Sequence, residues 1–100
     1  MGDTITKLSD PSTRALFNKG AIDILLLIHD YPDIILSELI SRAKMSERTV
    51  SLRLNDLIHA KFVVERRGQN NRRQLRLTKK GEKVAELLKQ AVLLAVSSSA

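Results

Sequence analysis

One stretch constrains this chain more than any other: SELISRAKMSERTVSLRLNDLIHAK at positions 37–61, where apolar residues recur at helical spacing on both sides of a short polar break. Leu39, Ile40 and Ala43 precede the break, Met45 lies within it, and Val50, Leu54, Leu57 and Ile58 follow it. Residues three and four apart share a helix face, so the spacing predicts two helices with buried stripes, joined by a tight turn at 44–46. Ser46 is the start signal of the second helix, because its hydroxyl can accept a hydrogen bond from the backbone N–H near Thr49.

Around this pair the chain is punctuated clearly. Positions 1–9 are polar and unpatterned and are expected to form a flexible N-terminal arm. Asp10-Pro11 opens a helix over 11–18, since Asp caps exposed amides and proline gives up an N–H that has no partner there. Leu16 and Phe17 are its expected buried residues, and Gly20 interrupts it. AIDILLLIH at 21–29 is apolar except for Asp23 and His29, so that helix is expected at the centre of the core. Tyr31-Pro32 ends it, because proline pushes the preceding residue out of the helical region. Ile34-Ile35 is a short strand candidate.

After position 61, FVVERR, GQNN and RRQLRL read as strand, turn and strand. Leu75 and Leu77 alternate with Gln74 and Arg76, giving the second strand one buried and one wet face. Thr78 can cap a last helix over 79–96, whose stripe comprises Val84, Leu87, Leu88, Ala91, Val92, Leu94 and Ala95. That stripe either pairs with a second copy or packs on Leu16, Phe17 and the 21–28 helix; its width favours the first. Positions 97–100 are expected to fray. The class is mainly α with a small β-hairpin, in the order α-α-β-α-α-β-β-α. With only Phe17, Tyr31 and Phe62 aromatic, the core must be aliphatic.

Charge is distributed unevenly. Positions 42–80 hold twelve Lys or Arg against Glu47, Asp56 and Glu65, a net of +9, whereas the remainder is −3. The excess is confined to the segment containing the paired helices and the hairpin, which suits a polyanionic partner. The absence of cysteine excludes disulfides, cysteine–zinc sites and thiol catalysis. His29 and His59 are far apart and lack clustered carboxylates, so no metal site and no cofactor is expected. No nucleophile, paired-carboxylate or phosphate-loop pattern points to an enzyme. The longest apolar run, at 24–28, is far too short to span a bilayer, and 1–9 lacks a signal pattern; a cytoplasmic protein is expected.

The element order, together with LSELISRAKMSERTVSLRLNDLIHAKFVVERR and, after the hairpin, LRLTKKGEKV, resembles the winged helix-turn-helix transcriptional regulators of the MarR, HxlR and ArsR type. In these families Leu-Thr-x-x-Gly, here 77–81, often closes the wing, and LSDPSTR at 8–14 is similar to the opening of ArsR-type chains. The resemblance implies a winged helix-turn-helix domain over 10–96, with the C-terminal helix as dimerisation element. It also implies sequence-specific binding of double-stranded DNA by a homodimer. Two features depart from the pattern. Lys44 stands where glycine is usual in the turn, and the cysteine metal site of metal-sensing ArsR members is absent.

With Val50 at the centre of the buried face, Arg48, Leu52, Asn55 and His59 project oppositely, flanked by Ser51 and Asp56. An arginine can bond guanine bidentately, Ser and Asn can bond base edges or phosphates, and leucine can touch a thymine methyl. Arg48, Ser51, Leu52 and Asn55 are therefore the expected major-groove contacts. Lys44 and the hairpin's Arg66, Arg67, Arg72 and Arg73 are the expected contacts to the backbone or minor groove. Val84, Leu87, Leu88, Ala91, Leu94 and Ala95 are the expected dimer surface. Two alternatives stay open: a sequence-indifferent architectural chromatin protein and a winged-helix protein-interaction module. The operator, the direction of regulation and any small-molecule effector are not encoded legibly.

Overall fold

A computed structural model describes residues 3–97. Six α-helices and three short strands are arranged as α1 (Asp3–Lys7), α2 (Pro11–Phe17), α3 (Ala21–Asp30), β1 (Ile34–Ile35), α4 (Leu36–Ala43), α5 (Glu47–His59), β2 (Val63–Arg67), β3 (Arg73–Leu77) and α6 (Lys79–Ser97). α3 is the hub. Its Ala21, Ile24, Leu25 and Ile28 are at most 1% exposed, and it packs against α2, α4, α5, α6 and β3. Gly20 caps it with φ 89°, a conformation that L side chains rarely adopt, and a Cβ there would lie 2.7 Å from Met45 Sδ.

α2 begins as the sequence predicts, with Asp10 accepting from the Ser12 N–H at 2.9 Å. Its buried residue differs, however. Ala15 is buried while Phe17 is 57% exposed and Leu16 only partly covered. A seven-residue helix lying against α3 and α5 turns only one narrow stripe inward, and the small residue occupies it. The 3–9 segment also differs from an unpatterned arm in containing α1, although none of α1's residues is buried. Met1, Gly2 and positions 98–100 of the expected tail lie outside the described residues; Ser97 is the last residue of α6.

The strands form one antiparallel sheet in the order β1-β3-β2. Ile34 pairs with Leu75, and Val63, Glu65 and Arg67 pair with Leu77, Leu75 and Arg73. This register places Ile34, Val63, Leu75 and Leu77 on the core side. The connection across the hairpin runs through a single 3-10 turn at Gln69–Asn71, with Asn70 and Asn71 both at positive φ.

α4 and α5 are the two helices of the 37–61 stretch. α5 buries Val50, Leu54 and Leu57, and burying each such side chain contributes about 1.5–3 kcal/mol. Both helices end on a left-handed lysine. Lys44, the C-cap of α4, has φ 55° and ψ 36°. Lys61, just beyond α5, has φ 69°. There the Phe62 N–H reaches the Leu57 carbonyl and the Lys61 N–H that of Ile58, both at 3.0 Å, the bonding of a Schellman motif with lysine in the glycine place.

α6 divides into two halves. Its first turns are packed: Gly81 and Ala85 are buried, and Val84 and Leu88 lean on the core cluster. Leu87 on its outward side is exposed, and so are the turns beyond Leu88, including Val92, Leu93 and Leu94. Val84 and Leu88 of the stripe thus pack within the chain, whereas Leu87 and the stripe beyond Leu88 form an open apolar surface.

Candidate nucleic-acid interface

α5 presents its outward face from a well-fixed start. Ser46 Oγ accepts from the Thr49 N–H at 3.1 Å and donates to Thr49 Oγ1 at 2.9 Å. Within the first turn Arg48 is exposed, followed by Leu52 (48% exposed), Asn55 and His59, with Ser51 half-buried beside them. Asp56 is engaged by the other arginine of the helix: Arg53 NH1 lies 4.0 Å from its carboxylate, while Arg53 Nε donates to the Lys19 carbonyl at 2.7 Å. Among the described residues Arg48 bonds neither Glu47 nor Asp56, so its guanidinium is open to a ligand. His59 is tied to its own helix, Nδ1 lying 2.9 Å from the Asn55 carbonyl oxygen.

The hairpin's arginines are not equivalent. Arg73 grips Glu65 with two parallel bonds, Nε and NH2 each 2.7 Å from a carboxylate oxygen. Arg67 NH1 donates to the Asn71 carbonyl at 3.0 Å, holding the turn. Arg76 bonds Asp33 across the β1 end of the sheet, its Nε 3.0 Å from Oδ1. Arg66 and Arg72 are exposed and make no side-chain bond among the described residues. The hydrogen bonds of Arg73 hold the Glu65 carboxyl below the usual carboxylate range against the opposing effect of its partial desolvation, and Arg76 does the same for Asp33. Both acids are therefore ionised at neutral pH.

Arg72 and Arg73 also line an open groove with Ile35, Leu36 and Ser37, which brings the returning strand of the hairpin beside the start of α4. At the other end of the sheet, α6 is fastened to the joint between α5 and β2. Thr78 Oγ1 donates to the Lys61 carbonyl at 2.6 Å and accepts from the Gly81 N–H at 3.0 Å. Lys80 Nζ donates to the Ala60 carbonyl at 2.8 Å and sits 4.4 Å above the centre of the Phe62 ring. No sequence signal marks Lys80, because its partner carbonyl at Ala60 lies 20 residues upstream and is brought beside it only by the fold. The two acid–arginine pairs of the sheet were also missed. The only hint was that Glu65 is the lone acid among the hairpin's arginines.

Among the described residues no group of three or more His, Cys, Asp or Glu side chains is placed to hold a metal ion. No described helix is long and apolar enough to cross a membrane.

Helices α4 and α5 joined by a tight turn, a two-stranded arginine hairpin, and a closing helix are now in place, and they match known structures along nearly the whole chain. FabT of Streptococcus pneumoniae, solved in complex with DNA, superposes with a TM-score of 0.77 at 19% identity, over 96% of this chain and 67% of FabT. The fold is the winged helix-turn-helix. A MarR protein of Peptoclostridium difficile matches with a TM-score of 0.77 at 23% identity, over 97% of this chain and 65% of its own. A shorter Archaeoglobus fulgidus protein matches at 25% identity with a TM-score of 0.69, over 80% of this chain and 91% of its own. The winged domain thus has the fold of MarR- and SlyA-type regulators while spanning about two thirds of the length of the MarR-type chains. No family model matches the sequence, and neither does any curated protein.

Proposed function

We propose that this protein is a sequence-specific, DNA-binding transcriptional regulator of the cytoplasm, placing α5 in the major groove and the wing on the neighbouring backbone or minor groove. The observation that carries the reading is the outward face of α5: Arg48, Leu52 and Asn55 stand exposed on a capped, core-anchored helix, within the segment of net charge +9. Arg48 reads guanine, Ser51 and Asn55 bond base edges or phosphates, and Leu52 meets a thymine methyl. Lys44, Arg66, Arg67 and Arg72 supply phosphate contacts, with one wing arginine entering the minor groove. The domain extends over 10–96, with 3–9, including the exposed helix α1, as an arm.

The acting species is a homodimer, paired through Leu87, Ala91, Leu94 and Ala95 with support from Val84 and Leu88. The exposure of the outer half of α6 supports this reading. Light scattering of the intact chain tests it, and a monomer at high micromolar concentration rejects it.

The DNA reading is tested by fluorescence anisotropy against duplexes enriched from a random pool, across a salt series. Binding weakens steeply with salt and is lost on charge reversal of Arg66 and Arg72; binding indifferent to both rejects the proposal. A sequence-indifferent architectural role on the same fold is favoured by one observation, the small number of base-reading side chains beside the many cations. Competition with random duplex decides between the two, a ratio near unity favouring the architectural role. A folded chain that binds no duplex but holds a protein partner would instead be an interaction module.

A further inference from the structure

The hairpin that carries the wing cations also carries Glu65, a carboxylate at the surface where a phosphate backbone would approach. The register explains its setting. Glu65 opposes Leu75 and Arg67 opposes Arg73, so Glu65, Arg67 and Arg73 share the face that begins with buried Val63, Leu75 and Leu77. The pair sits where that apolar face runs out, its side chains 35% (Arg73) and 26% (Glu65) exposed. Both donors on one edge of the Arg73 guanidinium are filled by the carboxylate, and their charges cancel. Arg72, in contrast, has no acidic partner among the described residues, and Arg66 makes no hydrogen bond and feels only the more distant charge of Asp33.

We infer that Glu65 withholds Arg73 from the nucleic acid, using it to fix the hairpin and capping the wing's sequence-indifferent affinity, so that Glu65 is a specificity-determining residue. The inference rests on the DNA-binding reading and divides the wing within it. Arg72 and Arg66 contact phosphate, whereas Arg73 is a positioning residue acting through Glu65. The Coulomb argument is direct. A phosphate beside an isolated arginine gains a full charge–charge attraction and releases a condensed counterion, whereas one beside a neutralised pair gains little of either. Removing the acid's charge therefore does more than loosen the hairpin: it adds a cation to the surface.

The experiment measures binding of the full chain to a random-sequence duplex and to its best enriched duplex between about 50 and 200 mM salt. Glu65→Gln binds random duplex several-fold more tightly than the parent, with a salt dependence steeper by about one contact, and its preference for the enriched duplex shrinks. The Glu65→Gln/Arg73→Gln double variant, which removes the neutral pair as a unit, binds with a salt dependence close to the parent's, whereas Arg72→Gln flattens it by about one contact. The gain of Glu65→Gln is thus absent from the double variant. Circular dichroism on each variant separates a gain made by the folded chain from non-specific binding by an unfolded basic one. Unchanged or weaker binding in folded Glu65→Gln overturns the inference, as does a flattening in the double variant equal to that of Arg72→Gln. If the folded parent binds no duplex in a salt-dependent way, the DNA reading itself falls and takes this inference with it; parent binding with equal flattening in Arg72→Gln and in the double variant defeats the inference alone.

Discussion

The helix-turn-helix and the wing are held in place by different forces. α5 is keyed into the molecule by Val50, Leu54 and Leu57, none more than 1% exposed, so its position is set by apolar burial. The wing is rooted in the core only through Val63, Leu75 and Leu77; beyond them its shape depends on the Glu65–Arg73 pair, the Arg67–Asn71 bond and a turn of two left-handed asparagines. Burial is insensitive to salt and mild acid, whereas exposed ion pairs are screened and titratable. The difference teaches that the two halves of one binding surface should fail under different conditions.

The largest effect expected is on the buried side. Leu54→Ala leaves a cavity at the base of α5 and should cost about 2–5 kcal/mol in urea unfolding; a loss below about 1 kcal/mol would mean that the helix is not core-anchored. Next comes the outward side of the same helix. Arg48→Ala should leave unfolding unchanged and reduce discrimination at one base pair by about 1–3 kcal/mol, read from binding to single-substitution duplexes. Lys44→Gly should raise stability by roughly 1 kcal/mol or less by relieving a left-handed lysine, with Lys61→Gly as the parallel case at the end of α5. The smallest effect belongs to the wing. Glu65 and Asp33 have folded pKa values below their unfolded ones, so the stability they contribute is complete above about pH 4.3 and drains away as pH falls through the lowered folded values. The melting temperature of the parent should therefore fall below about pH 4 more than that of Glu65→Gln. Identical acid profiles would remove ionic pairing from the account of the wing.

Much of this architecture was legible because it is carried by large apolar residues at regular spacing. The 37–61 stretch, the 21–29 core helix, the hairpin and the Ser46 cap all follow from periodicity and local chemistry. What escaped was what small residues and long-range pairing decide. Ala15 lies inside where Phe17 was expected, and Gly81 and Ala85 form the inward edge of α6, because close approach of helices selects residues that a hydrophobic pattern barely registers. Lys61 is as left-handed as Lys44, yet only Lys44 stands where the families that the sequence resembles usually place glycine. In the candidate site the exposed face of α5 follows from its buried face. The division among the wing arginines does not, because a diagonal cross-strand pair such as Glu65–Arg73 exists only once the register is known.

The seat of α6 on the α5–β2 joint has a mechanical consequence. A Cβ on Gly81 would fall 2.0 Å from the Phe62 carbonyl oxygen, so the helix crosses the joint with backbone against backbone. Thr78 and Lys80, just before Gly81, clamp it to the Lys61 and Ala60 carbonyls. Because the junction at Gly81 leaves no room for a side chain, the start of α6, the end of α5 and the root of β2 meet as one backbone joint, and a substitution at Gly81 would displace all three together.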